Sequence, residues 1–356
     1  MKPRIDAFQG IRGYALLMVF VSHCSNLLVI NDANALTYFG AAGVSLFLCL
    51  SGFLTAYHYL ARETIPGALQ IYKSKWRKFY KLHFLTLIFA LPLSVGIFRK
   101  NVWKWAISLT FNAALVQIVP PPVSIYFSFN AVSWYLSLTL FLGLFTPSAV
   151  KIWRTAKKED AKRLCFVLAA ICAAEFLLCA VAQSASYAHW LLYVFPPVRF
   201  LDFLAGGLAY ILADSFKNQW SDNRVMAALA ISVSCFLLCL ASSLVLPDRA
   251  LSGEFFSSSV WALPSCCAIG SAYIANERNL GGVLFRNPFA MRLGEIGLEF
   301  FMLHQLAIRY FSALPQLIYG QYFIIYALSF AVTYFAAKTF HQRAMMKPLS
   351  LDSTKR

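Results

Sequence analysis

The chain has 356 residues, of which 60% are hydrophobic, 16% aromatic and 13% charged. Soluble domains carry about 25% charged residues, so the composition excludes an ordinary soluble enzyme and points to a polytopic membrane protein. The net charge of +16 would suit a nucleic-acid binder, but the basic residues stand in short clusters between apolar segments, as cytoplasmic loops do.

The first apolar segment, 10–30, opens with GIRGYALLMVFVSH, and Arg12 and His23 are its only groups that carry charge near neutral pH. At about 100° per residue their spacing is about 1100°, about 20° from three whole turns, so both lie on one helix face. At about 1.5 Å per residue they stand about 16 Å apart along the axis. Ionisable groups are costly in hydrocarbon and mark functional candidates. The residues alone leave open whether Arg12 is an interfacial anchor and His23 a packing residue. The basic start MKPR resembles the head of a signal peptide, but without a small-residue cleavage site it reads as part of a retained first helix.

Nine further segments of spanning length follow, at about 38–60, 79–98, 132–150, 163–183, 190–213, 225–246, 258–275, 293–311 and 320–340. The Trp-rich 103–118 is shorter and is expected to lie at the interface. With the N-terminus inside, most of the 31 basic residues fall on cytoplasmic segments. Lys73 to Lys81 then form a basic loop after span two, and only Arg99, Lys100, Lys104 and Arg249 face outward. This asymmetry predicts an all-α bundle of about ten spans with both termini cytoplasmic. The outer stretch 99–131 contains Pro120, Pro121 and Pro122, cannot continue a helix there, and is expected to cover the outer face as a lid. Residues 1–345 form the membrane domain and 346–356 a short basic tail. The nine cysteines lie mainly inside apolar segments, with no CxxC, and read as packing residues. No HxxH or HExxH occurs, so no metal site is expected.

The order of the motifs resembles the acyltransferase-3 family of bacterial integral-membrane acyltransferases across nearly the whole chain. IRGYALLMVFVSH carries the family's Arg-x10-His pair on Arg12 and His23. GAAGVSLFLCLSGFL resembles its Gly-rich segment at Gly40, Gly43, Val44, Ser51, Gly52 and Phe53. KSKWRKFYKLHFLTL is similar to its basic segment, with Lys75 and Lys78 at the R-x-x-R positions. SWYLSLTLFL, FPPVRFLDFLAGGLAY and LGEIGLEFFMLHQLAIRYF complete the series. The departures are Thr139 where many relatives carry glutamate, Lys81 in place of a common proline, and lysines at 75 and 78. Those lysines keep a point charge for phosphate but lose the bidentate arginine fork.

The resemblance implies an O-acyltransferase of the bacterial inner membrane acting on lipopolysaccharide, exopolysaccharide or related glycans. The expected donor is acyl-CoA, most simply acetyl-CoA, with no permanently bound cofactor. His23 and Arg12 are the expected catalytic residues. Transfer from a thioester to a hydroxyl needs a base, and imidazole titrates near neutrality. Acyl-CoA cannot cross the membrane, but its sulfur ends a long thin arm. Arg12, Lys75, Arg77 and Lys78 are expected to hold its phosphates, with Ser51 and Gly52 beside the arm. Trp134, Arg199, Asp202, Glu299 and His304 are candidate acceptor-side residues. Arg199 and Asp202, three apart on one face, also read as an internal pair, and His304 as an interior hydrogen-bonding group. Glu175 has no motif around it. His58 and His83 read as groups near the inner interface. The partners would be acyl-CoA, a glycan or lipid-linked glycan, lipid and, for an oligomer, a second copy. A flippase of a lipid-linked glycan is the alternative, disfavoured because no repeat symmetry or interrupted helix is visible.

Overall fold

Helices supply all the regular structure of the computed structural model, which describes residues 5–27, 36–245, 254–314 and 322–345. In chain order they are α1 (Asp6–Leu27), α2 (Thr37–Tyr59), α3 (Ala68–Ala90), α4 (Val95–Lys100), α5 (Val102–Ala113), α6 (Val123–Tyr126), α7 (Trp134–Ala156) and α8 (Ala161–Ala182). After them come α9 (Pro196–Phe216), α10 (Asp222–Val245), α11 (Ala262–Glu277), α12 (Gly282–Phe285), α13 (Pro288–Glu295), α14 (Gly297–Ser312) and α15 (Tyr322–Met345). The tail 346–356 lies outside the described residues.

Among the described residues, seven helices are long and apolar enough to cross a membrane, and the bent pair α3 and 92–100 makes an eighth if it is one span. The ten expected segments each coincide with a helix or helix pair. α1, with its polar groups, and α14, with 16 residues, fall outside the seven. α8, α10 and α15 bury only 22% of their apolar windows, and turn Phe166, Val181, Leu238 and Phe335 outward. Helices apolar on their exposed faces are stable only in hydrocarbon, so the fold is an all-α membrane bundle.

Two expectations are corrected. The basic stretch 73–81 is not a loop: α3 begins at Ala68 and runs unbroken through Lys75, Arg77, Lys78 and Lys81. Lys and Arg are good helix formers, and no Gly or Pro intervenes before Leu91. The segment 79–98 is not one straight span. It bends by 52° at Leu91-Pro92, where proline cannot continue the α-helical ladder. α5 has 12 residues, too few to cross.

α1, α2 and α9 form the centre, with α13 and α14 on the other side of α1. α2 and α9 cross in near backbone contact. A Cβ on Gly52 would lie 1.9 Å from the Phe203 carbonyl oxygen, and one on Gly206 would lie 1.9 Å from that of Cys49. No side chain fits at that crossing, so Gly52 serves close packing first. The same crossing buries the rings of Phe53 and Tyr210, 5.3 Å apart and edge to face.

Candidate active site

α1 is continuous from Arg12 to His23, which keeps the two about 16 Å apart along one face. His23 meets a residue far away in sequence: its Nδ1 lies 2.6 Å from Nε2 of His304, and the two rings stack at 15°. His304 is 1% exposed, and its Nδ1 faces the Phe300 carbonyl at 3.2 Å. Phe20, Phe300 and Phe301 surround its ring.

On its other side His23 borders a cavity of about 230 Å³ at the end of the bundle where α1 finishes and α2 begins. Trp134, Phe127, His189 and Tyr193 form an aromatic wall there. Trp134 and Tyr193 lie 5.0 Å apart, His189 and Tyr193 5.1 Å, and Phe127 and His189 5.9 Å between ring centroids. Ser22 and Gln305 add polar groups. The Gln305 Oε1 accepts from the Val132 amide at 3.3 Å, and its NH₂ meets no hydrogen-bond acceptor among the described residues.

The stretch after α5 closes this end and is held by buried hydrogen bonds. Asn130 donates to the Met302 carbonyl at 2.9 Å, Gln117 to Ser133 Oγ at 3.0 Å, and Ser137 to the Leu115 carbonyl at 2.6 Å. Arg309 donates to the Phe129 carbonyl. The stretch expected as a lid thus forms a roof bonded to α7 and α14.

The opposite end of the face holds Arg12, half-buried, with Nη1 3.3 Å from Gln9 Oε1. Lys75 reaches inward from α3 to the Thr139 carbonyl at 3.3 Å. Arg77 and Lys78 are exposed, and Arg77 borders an open surface cleft with Lys73 and Ser74. Ser51 is half-buried, bonded to the Phe47 carbonyl at 2.7 Å, and the Tyr135 hydroxyl faces Ser51 and Thr139.

The remaining candidates divide. Arg199 and Asp202 form a fully buried pair at 3.1 Å, and Arg199 also donates to Ser45 at 2.8 Å. Glu175 of α8 is buried beside this pair. Tyr193 of the cavity wall borders this pair, its ring 5.9 Å from the Arg199 guanidinium. Glu299 turns away to His341 of α15 at 3.2 Å. His83 is buried against α5 and turns to no loop or outer surface. It is 1% exposed, with Nε2 donating to the Asn112 carbonyl at 2.8 Å.

The structure thus brings Trp134 and His304 to His23 and keeps Glu299 apart. Phe127, His189, Tyr193 and Gln305 escaped the sequence reading. The four-residue spacing of His189 and Tyr193, which puts both on one helical face, was the available signal.

The sequence profile of an acyltransferase domain, that of the acyltransferase-3 family, matches residues 5–338. A curated relative, the acyltransferase MdmB of Streptomyces mycarofaciens, is 26% identical over 330 residues, covering 86% of this chain and 80% of its own. No solved structure matches. The match takes in every element that lines the cavity, from α1 to α14, and it decides between enzyme and flippase: the chain belongs to the acyltransferase-3 family and is a multi-pass membrane acyltransferase.

Proposed function

We propose that the protein moves an acyl group, most simply acetyl, from acyl-CoA to a hydroxyl of a cell-surface glycan or its lipid-linked precursor in a bacterial inner membrane. The observation that carries this reading is the placement of Arg12 and His23 at the two ends of one face of α1, with the cavity beginning at His23. A donor with phosphates at one end and a reactive carbonyl at the other, joined by a thin arm, matches a cation and a base about 16 Å apart. Arg12, Lys75, Arg77 and Lys78 hold the phosphates at the cytoplasmic end. The arm passes Ser51 and Tyr135, and the acceptor enters the aromatic cavity from the outer end. A sugar presents an apolar C–H face, which suits the walls of Trp134 and Tyr193.

In the reaction, His23 Nε2 takes the proton of the acceptor hydroxyl as its oxygen bonds to the thioester carbon. The Gln305 NH₂, which lines the same cavity, donates to the oxyanion. The C–S bond then breaks, and the CoA thiolate takes the proton back from His23. Arg199 and Asp202 act beneath Tyr193 as an internal strut, with no part in proton transfer.

The test is acylation of glycan by membranes holding the protein, with isotope-labelled acetyl-CoA. Label in the glycan supports the reading. Label only in free acetate, or none with any acyl-CoA, removes the proposed donor–acceptor pair while leaving the family membership intact.

A further inference from the structure

His304 does not border the cavity; it sits behind His23, enclosed by Phe20, Phe300 and Phe301. Its bonds can be assigned by elimination. A backbone carbonyl only accepts, so His304 Nδ1 must carry hydrogen to bond the Phe300 oxygen. A neutral imidazole has one N–H, which leaves His304 Nε2 with a lone pair. That lone pair faces His23 Nδ1 at 2.6 Å, so His23 Nδ1 must be the donor. The lone pair of His23 is then on Nε2, the nitrogen not engaged by His304. The reverse tautomer of His304 would set two acceptors against each other at Phe300.

We propose that His304 is the positioning residue for His23, holding it in the Nδ1–H tautomer and fixing its ring so that Nε2 meets the acceptor hydroxyl. The proposal rests on His23 being the base. His304 does the orienting work that a carboxylate does for histidine in other acyl-transfer sites, but without charge. In a bilayer that difference matters, because a further buried anion would be costly to keep ionised. When His23 Nε2 takes the proton, its Nδ1–H keeps the same acceptor, so the imidazolium forms without movement of either ring.

The experiment combines kinetics with imidazole ¹⁵N NMR of the full-length protein in detergent. The His23 resonances among the six histidines are identified by their loss in His23→Gln. In the wild-type protein His23 should show a protonated Nδ1 and a bare Nε2. His304→Leu should lower kcat by at least about tenfold, with KM for acyl-CoA and acceptor within about twofold. His304→Gln keeps an acceptor oxygen near the same place and should restore kcat to within about threefold of wild type. A wild-type His23 protonated on Nε2 overturns the proposal, as do equal losses in the Gln and Leu variants. Should His304→Leu not fold, the wild-type spectrum and His304→Gln decide. An inactive His23→Gln beside an unimpaired His304→Leu removes this proposal and keeps the base; an active His23→Gln removes both.

Discussion

Asn130, in the stretch that roofs the cavity, donates to the carbonyl of Met302 at 2.9 Å, two residues before His304 on α14. The bond ties the roof to the helix whose His304 faces His23, and Asn130 is fully buried. Removing one buried hydrogen bond costs about 1–3 kcal/mol when a partner is stranded. Asn130→Leu should therefore lower the unfolding temperature in detergent and raise the KM for acceptor more than that for acyl-CoA. An unchanged Tm together with unchanged kinetics would mean that the roof is held elsewhere.

The His23 base is tested by a pair of variants. A general base contributes about 10²–10⁴-fold in rate. Both His23→Ala and His23→Gln should lose acylation to that degree while folded protein remains in the membrane. Glutamine keeps much of the size and hydrogen bonding but cannot take up a proton at neutral pH. A glutamine variant acylating near the wild-type rate would reduce His23 to a packing residue.

Phosphate docking by the basic face of α3 predicts a different pattern. Replacing Lys75 and Lys78 together with glutamine should raise the KM for acyl-CoA and leave that for acceptor nearly unchanged. The wild-type KM for acyl-CoA should rise with salt, because exposed charges are screened over about 10 Å at 0.1 M. The salt slope should be shallower in the double variant. Equal slopes would assign these lysines to membrane orientation alone.

The aromatic wall predicts the reverse. Trp134→Ala removes one side of the cavity that His23 borders and should raise the acceptor KM by about tenfold, with the acyl-CoA KM kept. Trp134→Phe should lose less. A variant with altered acyl-CoA KM and intact acceptor KM would move the acceptor site away from this cavity.

Sidedness follows from cysteine labelling after the nine native cysteines are replaced. Pro121, exposed on the roof, should react as cysteine with an impermeant thiol reagent from outside intact cells; Lys157, exposed beyond α7, should not. The opposite result would invert the bundle and place the aromatic cavity on the cytoplasmic side.

Composition and hydropathy runs determined the membrane class and the helical segments, because a backbone in hydrocarbon must satisfy its own hydrogen bonds and a helix does so locally. The common face of Arg12 and His23 was equally legible, since the 3.6-residue period acts over a few turns. Three features belong to packing alone. His304 meets His23 across 281 residues of chain, and nothing within α14 marks it apart from the equally polar Glu299, which pairs elsewhere. The aromatic wall takes Phe127 and Trp134 from one stretch and His189 and Tyr193 from another, so neither stretch displays the whole of it. The roof depends on side chains such as Asn130 and Gln305 bonding to backbone groups brought near only by the fold. Local periodicity sets which way a side chain points from its own helix. What stands opposite depends on how the helices cross, and here glycines such as Gly52 and Gly206 let backbones approach closer than any other residue would permit.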